Sequence, residues 1–235
     1  PMPENHPDPG SLPKHRFLSD ANRLEESDGL SRSCAGDMIS IKGGSAGRGT
    51  RDDMAESGYA LFSTPLGVCG IVWGAAGLVG VHLPEASEAA VARAMASRFP
   101  AYEPAAPPPP VREAIVRIAA YLDGASDDFA DVKLDFSGTG AFDRAVYQAT
   151  RAIPAGRTTT YGAVASEIGD SGGARAVGQA LGRNPWPILV PCHRVTGADG
   201  RMGGFSAPGG AVTKRRLLDL EGALAPETLP LFGDH

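Results

Sequence analysis

Cysteine is scarce. The 235 residues contain three, Cys34, Cys69 and Cys192, none in CxxC spacing. An odd, sparse set argues against a secreted disulfide scaffold and fits a reducing compartment. It also leaves no four-ligand zinc spacing, so no metal is expected. Long apolar runs are missing too: the longest, Val68 to Leu83, is broken by four glycines and is too short to span a bilayer. The N-terminus has no basic region followed by an apolar core, which argues against a signal peptide. A cytoplasmic protein without membrane contact is expected. There is no basic excess either; the net charge of −5, taken alone, argues against a polyanionic partner.

What is present is distributed unevenly. Hydrophobic residues make up 42%, enough for one or two domains with an ordinary core, while 31 glycines and 20 prolines indicate many loops. Between 141 and 222, ten Lys and Arg face six Asp and Glu, leaving 12 basic and 21 acidic residues for the rest of the chain. A basic C-terminal part on an acidic remainder is compatible with a local polyanion site, and equally with a solvated helix face.

Residues 1–57 lack apolar periodicity and read as a disordered extension. From there 58–137 reads as an α/β domain. Tyr59–Thr64, Val68–Trp73 and Gly77–Leu83 read as strands joined by glycine turns, and Val132–Phe136 as a last short strand. Glu85–Phe99 and Val111–Leu122 carry helical spacing, the second with Ile115, Ile118 and Leu122 on one side. Residues 138–224 form a second domain, followed by a tail over 225–235. Helices are expected over Ala141–Ile153, Gly162–Ile168, Ala174–Leu181 and Ala211–Leu220. The two short helices around Gly169–Gly173 resemble a helix-turn-helix, although many helical hairpins bind nothing.

The chemistry gathers at Pro191-Cys192-His193-Arg194-Val195, after the apolar run Ile188-Leu189-Val190, which reads as a strand. Cysteine reacts as its thiolate, and a neighbouring imidazole can take its proton. On a strand, adjacent residues point to opposite faces, so this dipeptide alone also fits a buried structural thiol beside an unrelated histidine. Glu221 is a carboxylate at a helix C-terminus, where it opposes the dipole, a slight hint of another role.

The flanks are more specific. Arg151-Ala152-Ile153-Pro154-Ala155-Gly156, Thr160-Tyr161-Gly162, Arg175-Ala176-Val177-Gly178, Asn184-Pro185, the full Pro-Cys-His-Arg-Val, Gly203-Gly204-Phe205, Lys214 and Leu217-Leu218 to Glu221-Gly222 together resemble the O6-alkylguanine-DNA alkyltransferases. The strong match covers about 140–222; residues 59–136 match only in architecture. The resemblance implies a ribonuclease H-like N-terminal α/β domain and a winged helix-turn-helix-like C-terminal one. It implies transfer of an alkyl group from O6-alkylguanine, and in some members O4-alkylthymine, in double-stranded DNA to Cys192. The transfer uses no cofactor and happens once per molecule, with the chain acting as a monomer. By the same resemblance Glu221 orients His193, which takes the Cys192 proton through a water. Tyr161 and Ser206 donate to the flipped base, and the carbonyls of Val195 and Cys192 accept from it. Arg175 fills the space left in the stack, with small Ala174 and Ala176 allowing close approach. Asn184 ties the turn before the nucleophile, and Phe205 walls the alkyl pocket. Arg194 is left as a structural ion-pair former.

Three other functions compete. A non-enzymatic alkyltransferase-like damage-binding protein would replace the nucleophile, often by tryptophan, whereas Cys192 is intact. A cysteine hydrolase needs an oxyanion hole and leaves Arg175 without a role. A plain DNA-binding winged helix does not account for Cys192, Tyr161 and Glu221 together.

Overall fold

The computed structural model describes residues 41–42, 57–198, 202 and 207–224, with the backbone alone at 41–42. All of them fall in one compact unit, Ala35–His235. Strands β1 (Ile41–Lys42), β2 (Gly58–Thr64), β3 (Gly67–Gly74) and β4 (Gly77–His82) form an antiparallel sheet in that order. The edge pairing of β1 falls inside the 1–57 stretch, where no element was expected from sequence. Two-residue turns join the hairpins, and Gly67 (φ 123°) and Gly77 (φ 142°) supply backbone angles that other residues rarely adopt.

Alternation along the strands sorts the side chains onto two faces. Ala60, Phe62, Cys69, Ile71 and Trp73 point into the main core, against helix α2 (Pro109–Leu122) through Val111, Ala114, Ile115 and Ile118. Leu61 and Val72 point the other way and meet helix α1 (Glu88–Arg98) through Val91 and Met95. Buried Cys69 belongs to this packing, and burial pushes its thiol up to about 12.

Val132–Phe136 is not a strand. It makes a single bridge, Leu78 to Leu134, with Leu78 N–H donating to Lys133 O and Asp135 N–H to Leu78 O, both at 2.8 Å. Asp135 then turns the chain by accepting from the Ser137 N–H at 2.9 Å, which ends the pairing after one step.

Downstream come α3 (Ala141–Arg151), β5 (Thr159–Thr160), α4 (Tyr161–Glu167), α5 (Ala174–Gly182), a 3-10 turn (Cys192–Arg194), β6 (Val195–Thr196) and α6 (Gly210–Leu220). Strands β5 and β6 pair in parallel. The two parts of the chain share one hydrophobic core: Ile118 and Leu122 belong to the same cluster as Val146, Trp186 and Leu217.

Ile188–Val190, read from sequence as a strand, is a buried turn. Ile188 has φ 76°, unusual for a β-branched residue, and Val190 N–H donates to Trp186 O at 2.8 Å. A short apolar run bounded by prolines is buried in either form, so its composition could not separate them. The turn is held against β4. Trp186 Nε1 donates to Leu78 O, Val81 N–H donates to Pro185 O, both at 2.8 Å, and the Trp186 ring meets Phe136 and Tyr147 edge-on.

Candidate active site

Cys192 opens the 3-10 turn, 7% exposed. Three residues per turn splay consecutive side chains by roughly 120°, so Cys192, His193 and Arg194 face different neighbours. The thiol faces Asn184, whose Nδ2 donates to Sγ at 3.4 Å and to Val190 O at 2.9 Å, while its Oδ1 accepts from Trp186 N–H at 2.9 Å. Asn184 is 4% exposed, and its amide holds both ends of the turn and the sulfur at once. Burial pushes the Cys192 thiol up; the Asn184 hydrogen bond and the charge of Lys214 pull the other way. A thiol held protonated needs a base before it can react.

His193 is fully buried. Its Nε2 lies 2.9 Å from Glu221 Oε1, and its Nδ1 is buried without a hydrogen-bond partner among the described residues. Burial lowers the His193 pKa, against the opposing pull of Glu221, which favours the neutral imidazole.

Glu221 caps the C-terminal end of α6, its side chain 2% exposed. Arg194 compensates the buried charge. Its Nη2 reaches Oε1 at 2.6 Å, its Nε reaches both oxygens at 3.1 and 3.0 Å, and its Nη1 donates to Ile153 O. Tyr121 from α2 adds a donor at 2.6 Å. Burial alone would raise the Glu221 pKa, but these bonds from His193, Arg194 and Tyr121 hold it down to about 2. Gly156, at φ 73°, lies against this end of the helix; a side chain there would come within 3.2 Å of Glu221 O.

On the other side of the thiol, Lys214 is completely buried. Its Nζ donates to Val195 O at 2.6 Å and lies 5.8 Å from the centre of the Tyr161 ring. Burial lowers its pKa, and a negative Cys192 raises it. The Val195 carbonyl expected to face a base is thus engaged by Lys214, and that of Cys192 by Val195 N–H, each using one of two lone pairs. A cavity beside Cys192 is lined by His82, Leu83, Arg98, Asn184, Pro187 and Pro208, and Arg98 Nη2 donates to Asn184 O at 3.2 Å.

The fold therefore brings Cys192, His193, Asn184, Val195 and Glu221 into one cluster, with Tyr161 joined through Lys214. Arg175 is exposed in the first turn of α5, between half-buried Ala174 and Ala176, and among the described residues it makes no hydrogen bond or ion pair to the thiol cluster. Phe205 and Ser206 lie outside the described residues. Arg194, expected to be a structural ion-pair former, is one, and its partner is Glu221. One contributor was missed. Tyr121 sits in the apolar stripe of α2, where a buried phenol needs a hydrogen-bond partner, and that was the available signal.

Comparison with known proteins gives the same direction. A family model described as 6-O-methylguanine DNA methyltransferase, DNA binding domain, matches residues 141–223. The methylated-DNA–protein-cysteine methyltransferase of Mycobacterium tuberculosis is 48% identical over 119 residues, covering 51% of this chain and 70% of that protein. A crystal structure of the M. tuberculosis protein in complex with DNA superposes with a TM-score of 0.56 at 35% identity, over 72% of this chain and 95% of that one. A DNA base-flipping protein of Thermus thermophilus is 46% identical over 114 residues, 48% of this chain and 73% of that protein. Since nearly half of the aligned residues are identical across most of the M. tuberculosis protein, and the aligned family model spans the thiol cluster, the chain belongs to the methylated-DNA–protein-cysteine methyltransferase family.

Proposed function

We propose that this chain repairs alkylated DNA by direct reversal, moving the alkyl group of O6-alkylguanine onto Cys192. The observation that carries the reading is the buried His193, paired through Nε2 with Glu221 and with no hydrogen-bond partner for Nδ1 among the described residues, one residue from a buried thiol. In the proposed step a water relays the Cys192 proton to His193 Nδ1. The thiolate attacks the alkyl carbon, an S–C bond forms, and the C–O6 bond breaks with its electron pair left on guanine, which is stabilised by donors around the base. No oxidant, reductant or cofactor enters the balance. The thioether product has no good leaving group, so the site works once.

Lys214, buried beside the thiol, favours the thiolate as it forms. We assign Tyr161 to the base, with Ser206 as a second donor and Phe205 as a wall of the alkyl pocket. Asn184 holds the turn, and the Val195 and Cys192 carbonyls use their second lone pairs toward the base's amine. The base must leave the stack to reach a buried thiol. Exposed Arg175 at the start of α5, flanked by Ala174 and Ala176, is suited to take its place. The α4–turn–α5 pair and the basic balance of 141–222 support a winged helix-turn-helix-like half, and the sheet with α2 a ribonuclease H-like half. We infer a monomer acting on duplex DNA. Among the described residues no helix is long and apolar enough to cross a membrane.

A base-flipping protein without chemistry is the competing function, favoured by the Thermus relative, and intact Cys192 argues against it. The test is stoichiometry with a duplex containing one methyl-labelled O6-methylguanine. At most one methyl per chain should transfer, with none to Cys192→Ala. Multiple turnovers point to a hydrolase, and tight binding without transfer to a flipping protein.

A further inference from the structure

We propose that Tyr121 is a positioning residue of the proton relay: its hydroxyl tempers the charge of Glu221 and fixes the proton of His193 on Nε2. The proposal rests on the assignment of Cys192 as the alkyl acceptor.

Tyr121 is 3% exposed on α2, far in sequence from the thiol cluster. Its OH donates to Glu221 Oε1 at 2.6 Å and lies 3.3 Å from His193 Nε2. A phenol has one proton, and here the carboxylate takes it, so toward His193 the Tyr121 oxygen can only accept. Glu221, held ionised by Arg194, is an acceptor as well. Both oxygens facing Nε2 are therefore acceptors, and Nε2 must carry the hydrogen. A neutral imidazole then has its lone pair on Nδ1, the atom with no partner among the described residues and the one that a relay from Cys192 requires. Burial, then the nearby charge of Glu221, raises the pKa of Tyr121, so the hydroxyl keeps its proton. Packing does not call for that hydroxyl: the ring meets Phe129 edge-on at 5.6 Å, and phenylalanine would do the same.

The groups acting on His193 are Glu221 and Lys214 from α6, Arg194 and Cys192 beside it in the turn, and Tyr121 from α2. A charge-assisted bond at 2.6 Å draws negative charge from Glu221. Without it the carboxylate presents more charge to the imidazole and raises the pKa of His193. Losing the 3.3 Å contact acts the other way, but a bond of that length is weaker. Tyr121→Phe should therefore leave His193 protonated to higher pH and less firmly oriented.

The test is single-turnover methyl transfer from an O6-methylguanine duplex, measured for the wild type and Tyr121→Phe across roughly pH 5 to 9. Duplex affinity is measured separately in a Cys192→Ala background. The expected result is a transfer rate about tenfold lower near neutrality, an acid limb displaced to higher pH, and unchanged affinity. A rate within about twofold of wild type, a loss equal at every pH, or a limb that stays or moves down would each overturn the proposal. If Tyr121→Phe does not fold, site-specific 3-fluorotyrosine at 121 keeps the shape and strengthens the donor. The acid limb should then move to lower pH, and an unmoved limb is the refuting result. A wild type that takes up no methyl refutes the acceptor assignment itself; a reactive wild type with an unaffected Tyr121→Phe refutes only the role of Tyr121.

Discussion

Arg194→Met should be among the most destabilising single changes in the molecule, and its size follows from the geometry. Arg194 and Glu221 are 3% and 2% exposed at the side chain and 2.6 Å apart at closest approach. Two charges about 4 Å apart at an effective dielectric near 20 attract by about 4 kcal/mol. Breaking a buried pair by removing one partner costs about 3–5 kcal/mol, because the other charge stays buried. For a folded unit of this size that corresponds to a fall of roughly 6–20 °C in Tm. The loss should be largest at high pH. At lower pH a protonated His193 can compensate Glu221 in place of the guanidinium. Urea denaturation followed by the fluorescence of buried Trp73 and Trp186 measures it. In a double-mutant cycle, Glu221→Gln should recover much of the loss, with a coupling of about 2 kcal/mol or more. A loss under about 1 kcal/mol, or strictly additive effects, would refute the pairing as the support of Glu221.

Three further outcomes are expected. Asn184→Ala strands Trp186 N–H in the core and leaves Val190 O with only its bond from Cys192 N–H, so it should cost about 1–3 kcal/mol in the same denaturation assay and slow methyl transfer. An unchanged midpoint would remove Asn184 as the tie of the turn. Arg175→Ala should slow repair of duplex DNA much more than reaction with free O6-benzylguanine, and equal losses would remove it from base extrusion. Stability should fall in acid in two stages. His193 has a depressed folded pKa, so it contributes stability above its unfolded value near 6.5 that is lost as pH drops below it. Glu221, held at about 2, contributes above the unfolded carboxylate range and loses that contribution, about 3 kcal/mol, between roughly pH 4.5 and 2. Glu221→Gln should abolish the lower stage; parallel curves for the two proteins would contradict this.

The sheet was legible in the sequence because Tyr59–Thr64 and Val68–Trp73 are short apolar runs with glycine turns between them, apolar on both faces because α1 covers one and α2 the other. The helices were legible through spacing, most clearly Ile115, Ile118 and Leu122. Val132–Phe136 and Ile188–Val190 were misread because apolar composition reports burial, while the pairing or turning of the backbone depends on partners such as Asp135 and Asn184. The edge strand at Ile41–Lys42 pairs through its main chain over two residues, too short a run for a side-chain pattern. Of the site, Cys192, His193, Asn184 and Glu221 were named from their motifs and are neighbours in the fold. Tyr121 was not: its meeting with Glu221 is created by packing α2 against the end of α6, which no local pattern records. Arg194 was recognised as an ion-pair former, but its partner depends on the same packing.

The most direct test of the central claim is to locate the transferred group. The full chain is incubated with an O6-methylguanine duplex, digested, and its cysteine peptides are compared by mass spectrometry. The expected result is one methyl on the peptide carrying Cys192, with Cys34 and Cys69 unmodified and restored guanine in the DNA. Methyl on either of the other cysteines, or restored guanine with Cys192 unmodified, would contradict Cys192 as the single-use acceptor.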